Sequence, residues 1–319
     1  MTVLACANNP HFYVSRIEMD RPGVSYTVDT LRLLKEMTTA KIFFIVGADE
    51  MLQISAWKDA NLLPDLCRWV TVTRPGYNID KALEIPGLDI SGTELRNRAE
   101  VGKSIKYLVP PRVERYVYDL NLYRKNGRCD EKIHHTVAAQ MSDERYKHTL
   151  GVMETSILLA ARYDVNLNKA YLAALLHDYA KELKEDEKRA MCKELGITID
   201  PVQDQYINLT HGQLSAELSK REFNIDDPEI LNAIRYHTTG RAGMGTLDMV
   251  VKIADNIEPN RTYYPTLKQI RLLSEVSLKE ACIAAIKWDI EYTEGKGRTI
   301  HQWGLEALKD LEQEAVYCR

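Results

Sequence analysis

The 319-residue sequence predicts an α/β domain over residues 1–126, followed by an all-α domain over residues 127–319. Three observations support this division. The length suits two domains of ~100 to 200 residues each. Short β-rich runs alternate with helical patterns in the first part of the chain, and these runs stop after Gly127. Each part is long enough to bury a hydrophobic core.

The α/β domain is predicted from four β-rich runs, at residues 12–15, 41–47, 68–74 and 88–91. Between the first two runs, residues 27–37 place apolar side chains at helical spacing, including Val28 and Leu31. The order strand, helix, strand predicts a parallel sheet. A last helix should begin at Pro110–Pro111, because the fixed φ of proline suits a first helical turn, and should end near Gly127.

The all-α domain is predicted from amphipathic stretches that are separated by polar turns. The turns are NGRCD, GITIDPVQD, NIDDP, TTGRAGMG and NRTYYP. The domain boundary should lie near residue 126, inside a polar turn formed by Lys125 to Arg128.

Composition restricts the classes of function. The net charge is −4, and neither part of the chain has the basic excess of a nucleic-acid-binding protein. No apolar stretch reaches the ~18 to 20 residues of a membrane span, and the N-terminus lacks the pattern of a signal peptide. The six cysteines are scattered without a CxxC pair, which is typical of free thiols. We therefore expect a cytoplasmic protein that binds neither nucleic acid nor membranes.

The strongest motif is AYLAALLHDYAKEL, in which an apolar helix runs into His177 and Asp178. A buried carboxylate beside an imidazole is costly unless something compensates its charge, and a metal ion commonly does so. Three further histidines and one acid follow the same pattern in this domain, namely His148, His211, His237 and Asp255.

Helical phase directs the outer members of this set inward. His148 shares a face with Val152 and Leu159, and Asp255 shares one with Leu247 and Val251. Any one of these residues could be an ordinary buried side chain, but their joint occurrence favours a shared metal site. The remaining histidines, at positions 11, 134, 135 and 301, have no such context.

The motifs HTLGVMETSILLAARY, ALLHDYAKEL, THGQLSAEL, AIRYHTTGRAGM and IADNIEPNR occur in this order. Together they resemble the bacterial YqeK-type proteins among the HD-domain metal phosphohydrolases, over roughly residues 130–319. The resemblance implies symmetrical hydrolysis of diadenosine tetraphosphate to two ADP. It also implies two divalent metal ions, with iron as the first choice, and Asp178 as the bridging ligand. Imidazole and carboxylate ligands suit iron, manganese or zinc alike.

We assign His148, His177, Asp178 and Asp255 to one metal, and Asp178, His211 and His237 to the other. A hydroxide held by the two metals would attack the bridging phosphate. Lys181, three residues beyond Asp178, could contact a substrate phosphate or a ligand carboxylate. Arg241 and Arg261 match arginines of the family pattern and are expected to bind phosphate, although an ordinary surface position is the alternative. Glu258 could orient a metal ligand.

Residues 1–125 resemble the later part of the bacterial NadD-type nicotinate mononucleotide adenylyltransferases, which act in NAD biosynthesis. The resemblance rests on FYVSRIEMDRPGVSYTVDTLRLLKE, IFFIVGAD, SAWKD, VTVTRPGY and the segment beginning DISGTELRNR. That family begins with a strand and a GxFxPxHxGH nucleotide loop, and neither occurs here. We therefore expect a truncated, incomplete Rossmann-like domain that does not fold alone, from a gene that starts further upstream or as a relic.

Four residues of this part match the family's nucleotide-binding positions. Ser91 and Arg96 would contact the ATP phosphates, and Thr27 and Trp57 would hold the nicotinate nucleotide. Structural roles are the favoured alternative, with Ser91 and Glu94 in a capping box, Thr27 as a helix cap and Trp57 as a core aromatic.

The sequence thus predicts a hydrolase of dinucleoside polyphosphates or nucleotides. Three alternatives stay open: an HD nucleotide phosphatase of other specificity, an adenylyltransferase within a longer bifunctional protein, and a non-catalytic nucleotide sensor. A homodimer is compatible with the sequence.

Overall fold

The computed structural model describes residues 1–6, 9, 11–19, 21–77, 79–86, 89–124, 130–261 and 263–316. The chain divides into two compact units, Thr2–Arg98 and Ala99–Arg319, and the second includes Met1. Within the described ranges, no helix combines the length and apolarity needed to cross a membrane.

The first unit contains a two-stranded parallel sheet and short helices. Its elements are α1 (Thr2–Cys6), α2 (Thr27–Met37), β1 (Phe43–Gly47), α3 (Ala48–Met51), α4 (Leu63–Leu66), β2 (Arg68–Val72) and the start of α5 (Gly92–Glu100), with 3-10 turns at Ile54–Ala56 and Ala60–Leu62. Phe43 pairs with Arg68 and Gly47 with Val72. Helix α2 and the two strands that follow it, β1 and β2, occur in the predicted order.

The sheet has fewer strands than the four predicted. Residues 12–15 form no strand, and neither do residues 89–91, while Leu88 lies outside the described residues. A β-rich run becomes a strand only when its backbone groups find a partner. The outer edge of β2 is instead met by a single bridge, in which Leu83 N donates to Thr71 O and Thr73 N donates to Leu83 O. A full Rossmann-like sheet is therefore absent from the described residues.

A small core holds this unit together. Val28 and Leu31 of α2 pack with Leu63 and Cys67, and the partly buried Phe44, Trp57 and Trp69 pack against this cluster. The helical spacing of residues 27–37 thus correctly predicted that Val28 and Leu31 are buried, but Met37, on the same predicted stripe, is 74% exposed at the end of α2.

The second unit is entirely helical in its described residues, as predicted. Its helices after α5 are α6 (Pro111–Asp119), α7 (Asp130–Ala139), α8 (Asp143–Arg162), α9 (Leu167–Leu176), α10 (Glu185–Glu194), α11 (Pro201–Gln205), α12 (His211–Phe223), α13 (Pro228–Tyr236), α14 (Thr246–Ile257), α15 (Leu267–Val276), α16 (Leu278–Gly295) and α17 (Gln302–Val316), with a 3-10 turn at Ile207–Thr210. Helix α6 begins at the predicted prolines.

Side-chain caps explain where several of these helices begin. Ser142 accepts a hydrogen bond from Arg145 N before α8, Asn166 accepts one from Lys169 N before α9, and Asp227 accepts one from Glu229 N before α13. Each cap satisfies a first-turn N–H group that has no partner within its helix.

Helix α9 lies at the centre of the bundle. It packs against α8, α13 and α14, and Ala170, Ala173 and Ala174 are fully buried. Small side chains allow neighbouring helices to approach closely, so the C-terminal end of α9 lies deep in the protein. This end carries the His177–Asp178 pair.

Helix α6 also belongs to the helical unit, although the sequence predicts a domain boundary after it. Arg115 donates to Val165 O, and Asp119 accepts a hydrogen bond from Leu167 N at the start of α9. Val113 and Val117 of the same helix are buried.

Candidate metal centre

The six side chains predicted to bind metal come from five different helices or helix ends. His148 lies in α8, and Asp255 lies near the end of α14. His177 and Asp178 follow α9 directly, His211 is the first residue of α12, and His237 follows α13 directly. Helix ends therefore carry most of the site, which explains why the ligands are far apart in sequence.

Two glycines allow these elements to approach. A Cβ atom on Gly212 would lie 2.6 Å from the carbonyl oxygen of Arg235, so only glycine lets the start of α12 pack against the end of α13. This contact brings His211 Nε2 to within 3.1 Å of His237 Nε2. A Cβ atom on Gly151 would lie 2.5 Å from Glu258 Oε2. Glycine at this position therefore leaves room for the Glu258 carboxylate, which contacts Nδ1 of His148.

The imidazole rings are held by their Nδ1 atoms. Nδ1 of His177, His211 and His237 each lies within hydrogen-bond distance of the carbonyl three residues earlier, at 2.6, 2.5 and 2.8 Å. Nδ1 of His148 lies 3.2 Å from Glu258 Oε1. A carbonyl or carboxylate accepts a hydrogen bond from Nδ1–H, which in the neutral ring leaves the lone pair on Nε2. All four rings are thus oriented with Nε2 toward the site.

Asp178 lies between two groups of histidines. Its Oδ1 atom is 3.1 Å from His211 Nε2 and 3.5 Å from His237 Nε2. Its Oδ2 atom is 3.5 Å from His177 Nε2 and 4.0 Å from His148 Nε2. One carboxylate therefore faces a different histidine pair with each of its oxygens.

These residues fit a metal site. Two sets each place their ligand atoms within 4.8 Å of one another, namely His148, His177 and Asp178, and Asp178, His211 and His237. His148 Nε2, His177 Nε2 and Asp178 Oδ1 are buried and make no hydrogen bond of acceptable geometry, although charged or imidazole groups lie 3.1–3.5 Å from them. Buried polar atoms are rarely left without a partner, and a divalent cation would satisfy all three.

Burial and charge prepare the groups for metal binding. Burial, together with the Lys181 ammonium, lowers the pKa of His211 to about 3, and burial also lowers the pKa of His237. Burial opposes the charge of Asp178, yet the adjacent histidines, first His177, hold the pKa of this carboxyl well below its usual range. Neutral imidazoles and an ionised carboxylate are the forms that bind metal.

His148 differs from the other three histidines. Burial disfavours its charge, but Asp255, 3.1 Å from Nε2, and Glu258 raise the pKa of His148 to about 9. A cation bound here would therefore displace a proton from His148. Burial likewise opposes the charge of Asp255, while Arg261 holds its pKa well below the usual range.

Two of the three predicted phosphate-binding cations adjoin this centre. Lys181 Nζ is 3.2 Å from His211 Nε2 and 4.0 Å from Asp178 Oδ1. Arg261 pairs with Asp255 Oδ1 at 2.9 Å. Arg241 instead pairs with the buried Asp248 at 2.7 Å and stacks over the ring of Tyr236. The structure therefore does not bring Arg241 into contact with the six side chains.

The four residues predicted to bind nucleotide in the first unit have local contacts. Ser91 accepts from Glu94 N before α5, and Arg96 donates to Thr93. Trp57 packs edge-on against Phe44 and Trp69, as a core aromatic does. Thr27 is the first residue of α2 and not its cap, since Tyr26 holds the cap position without a side-chain hydrogen bond.

Sequence reasoning missed Arg145 and Lys188. Arg145 donates to Asp178 Oδ2 at 2.9 Å, and its position three residues before His148 on one helix face could have indicated this contact. Lys188 is 1% exposed and donates to Lys181 O, Leu183 O and Asn208 Oδ1. The charged stretch around Lys188 gave no signal of burial.

Comparison with known proteins places this geometry in a family. The HD domain model matches residues 145–260. A symmetrical bis(5'-nucleosyl)-tetraphosphatase of Bacillus subtilis (strain 168) is 43% identical over 152 residues, which are 47% of this chain and 80% of that protein. A solved structure from Clostridium acetobutylicum, described as a predicted HD superfamily hydrolase involved in NAD metabolism, has 33% sequence identity to this chain and a TM-score of 0.56. The match covers 58% of this chain and 97% of the Clostridium chain.

A second kind of relative is a probable nicotinate-nucleotide adenylyltransferase of Thermus thermophilus. It is 45% identical over 131 residues, which are 39% of this chain and 70% of that protein. The chain therefore belongs to the HD-domain hydrolases, with homology both to the symmetrical tetraphosphatase and to the nicotinate-nucleotide adenylyltransferases.

Proposed function

We propose that the helical domain is a phosphohydrolase that uses two divalent metals to cleave diadenosine tetraphosphate symmetrically into two ADP. The observation that carries this proposal is Asp178, a buried carboxylate that turns one oxygen toward His148 and His177 and the other toward His211 and His237. Such an arrangement suits a carboxylate that bridges two cations. The similarity to the tetraphosphatase of Bacillus subtilis supports the choice of substrate.

The chain's own residues would hold the two cations in the predicted sets. His148, His177, Asp178 and Asp255 would bind one, and Asp178, His211 and His237 would bind the other. When bound, such a pair activates water near neutral pH and polarises a phosphoryl oxygen. Iron is our first choice, and manganese or zinc would suit the same nitrogen and oxygen ligands.

Cationic side chains around the centre would neutralise the polyphosphate. Lys181 and Arg261 contact candidate ligands and line a cavity beside them. Arg145 holds Asp178 and faces a second cavity. Guanidinium groups bind phosphate oxygens through paired donors, so Arg145 and Arg261 are the residues we expect to position the chain of phosphates. We do not extend this role to Arg241, because it lines neither of these two cavities.

The test compares ligand variants with a matched histidine control. His177→Ala and Asp178→Ala should lose bound metal and at least about a hundredfold in the rate of ADP formation from diadenosine tetraphosphate. His135→Ala, at an exposed position on α7, should keep both. Metal content by elemental analysis and ADP by chromatography provide the readouts. Full activity in either ligand variant would contradict the proposal.

Other HD specificities are tested with the same protein. Deoxynucleotides and nucleoside monophosphates should be hydrolysed much more slowly than diadenosine tetraphosphate at equal concentration. If the metal-loaded protein hydrolyses a monophosphate faster, the proposed metal site stands, but diadenosine tetraphosphate is not the preferred substrate.

The first part of the chain supports a second candidate activity, adenylyl transfer from ATP to nicotinate mononucleotide. The similarity to the adenylyltransferase of Thermus thermophilus favours it. Thr27, Trp57, Ser91 and Arg96 are the proposed nucleotide contacts. Formation of the dinucleotide from ATP and nicotinate mononucleotide by this chain would support the candidate, and its absence in the presence of Mg²⁺ would exclude it for residues 1–319.

A further inference from the structure

Two cavities adjoin the candidate metal centre, one lined by His148 and the other by Asp255, and Arg261 lines both. The first, which we call the charged cavity, has a volume of about 450 Å³. The second, which we call the tyrosine cavity, has a volume of about 560 Å³. Both volumes are in the ~300–1,000 Å³ range of small-molecule sites.

The lining of the tyrosine cavity is of two kinds. Lys181, Thr238 and Arg261 lie beside the candidate ligands, and Thr238 Oγ1 is 3.0 Å from His237 Nε2. Tyr206 and Arg298 line the same cavity, and the Arg298 guanidinium lies over the Tyr206 ring at 5.9 Å. Cationic groups beside the metal centre and an aromatic ring in one cavity match the two parts of a nucleotide, its phosphates and its base.

The charged cavity has a different lining. Its walls are polar and ionisable, including Arg145, Lys147, Glu144 and Asn260. No tyrosine, tryptophan or phenylalanine among the described residues lines it. Such walls can bind phosphate and ribose hydroxyl groups, but they offer no aromatic face on which a base could stack.

We propose that the tyrosine cavity binds the base and ribose of one nucleoside diphosphate half, and that the other half is held in the charged cavity through its phosphates. The base would stack on Tyr206 beside Arg298, with its phosphates at Lys181 and Arg261. The assignment rests on the proposed function only for the position of the cleaved bond. The two halves of a symmetrical substrate would then be recognised differently, since only one of the two bases would stack on an aromatic ring.

The test measures binding of ADP and of inorganic pyrophosphate to the Mn²⁺-loaded protein of residues 1–319 by calorimetry. Stacking of a base on an aromatic ring contributes ~1–3 kcal/mol. Tyr206→Ala should therefore bind ADP about tenfold or more weakly, with unchanged affinity for pyrophosphate. Tyr206→Phe should bind ADP as the wild type does, because it keeps the ring. Lys147→Ala, in the charged cavity, is the control for base binding and should not reduce the preference for ADP over pyrophosphate.

Arg298→Ala gives an independent measurement from a different segment, and it should also weaken ADP binding selectively. Equal ADP affinity in Tyr206→Ala and wild type would overturn the assignment, and so would a parallel loss of pyrophosphate binding. If the wild type fails to cleave diadenosine tetraphosphate but its ADP preference depends on Tyr206, the proposed function fails while the cavity assignment stands.

Discussion

Lys188 connects two segments of the metal centre through one buried ammonium group. Its Nζ donates to the carbonyl oxygens of Lys181 and Leu183 and to the side chain of Asn208 at 2.7–2.8 Å. The carbonyl of Asn208 lies 2.5 Å from Nδ1 of His211. Lys188 therefore holds both the backbone of Lys181 and the residue that orients His211.

Replacing Lys188 by methionine should affect stability and metal binding together. Three partly buried hydrogen bonds would be lost together with a buried side chain, so we expect the free energy of unfolding to fall by about 2–4 kcal/mol. Because His211 would be less well oriented, the affinity for Mn²⁺ should fall about tenfold or more. Urea unfolding and a Mn²⁺ titration are the measurements, with Lys193→Met at an exposed position of the same helix as control. Loss of stability with unchanged Mn²⁺ affinity would contradict the positioning role.

At the residue scale the sequence pointed to the six candidate ligands because an acid or imidazole on an apolar stripe needs a partner. It could not separate Arg261 from Arg241, since both follow a ligand in a turn-like segment. Their difference arises from tertiary contacts: Arg261 meets Asp255, whereas the buried Asp248 holds Arg241. Lys188 was missed for a related reason, because its acceptors come from two segments, the backbone of residues 181–183 and the side chain of Asn208.

Helix α13 presents His237 at its C-terminal end, and its N-terminal end is fixed by Asp227. This carboxylate accepts from Glu229 N at 2.9 Å and pairs with Lys169 at 2.7 Å. Burial opposes the charge of Asp227, but Lys169 and the backbone N–H groups lower the pKa of the carboxyl. A lowered pKa stabilises the fold above the unfolded-state pKa of ~3.9, and this contribution is lost as pH falls through the lower folded-state pKa.

Asp227→Ala should lower the free energy of unfolding by about 1 kcal/mol at pH 7. The difference from wild type should stay constant down to about pH 5 and shrink below about pH 4. Asp227→Asn keeps a capping oxygen, so its loss should be smaller at pH 7. Denaturant unfolding across this pH range measures the effect, and Asp226→Ala on the exposed neighbour is the control. A difference that persists unchanged at pH 3 would contradict the role of the charge.

At the element scale, periodicity predicted helices better than strands. The apolar spacing of residues 27–37 matches α2, because a helix satisfies its own backbone hydrogen bonds. A strand needs a partner that is often distant in sequence, so the β-rich composition of residues 12–15 was not sufficient to make one. Only the runs in β1 and β2, which pair with each other, became strands in the described part of the chain.

The division of the whole chain can be tested through helix α6. The compact helical unit begins at Ala99, whereas the sequence predicts a boundary near residue 126. Arg115 and Asp119 of α6 bind the segment that leads into α9. Since α9 ends at the His177–Asp178 pair, α6 supports the helix that carries the centre of the site.

A fragment of residues 99–319 should therefore be more stable than a fragment of residues 127–319. Loss of the buried Val113 and Val117 alone should cost about 3 kcal/mol or more, and the shorter fragment should melt several degrees lower. Thermal unfolding followed by circular dichroism compares the two. Equal melting temperatures would show that α6 does not stabilise the helical unit, and would place the domain boundary near residue 126.

The products that residues 1–319 make from diadenosine tetraphosphate test the proposed reaction most directly. Metal-loaded wild-type protein should release two ADP for each substrate molecule, with neither AMP nor ATP among the products. Chromatographic identification of the products over a time course measures this. AMP and ATP in equal amounts would show cleavage at the wrong bond, and unchanged substrate with metal bound would contradict the proposed reaction.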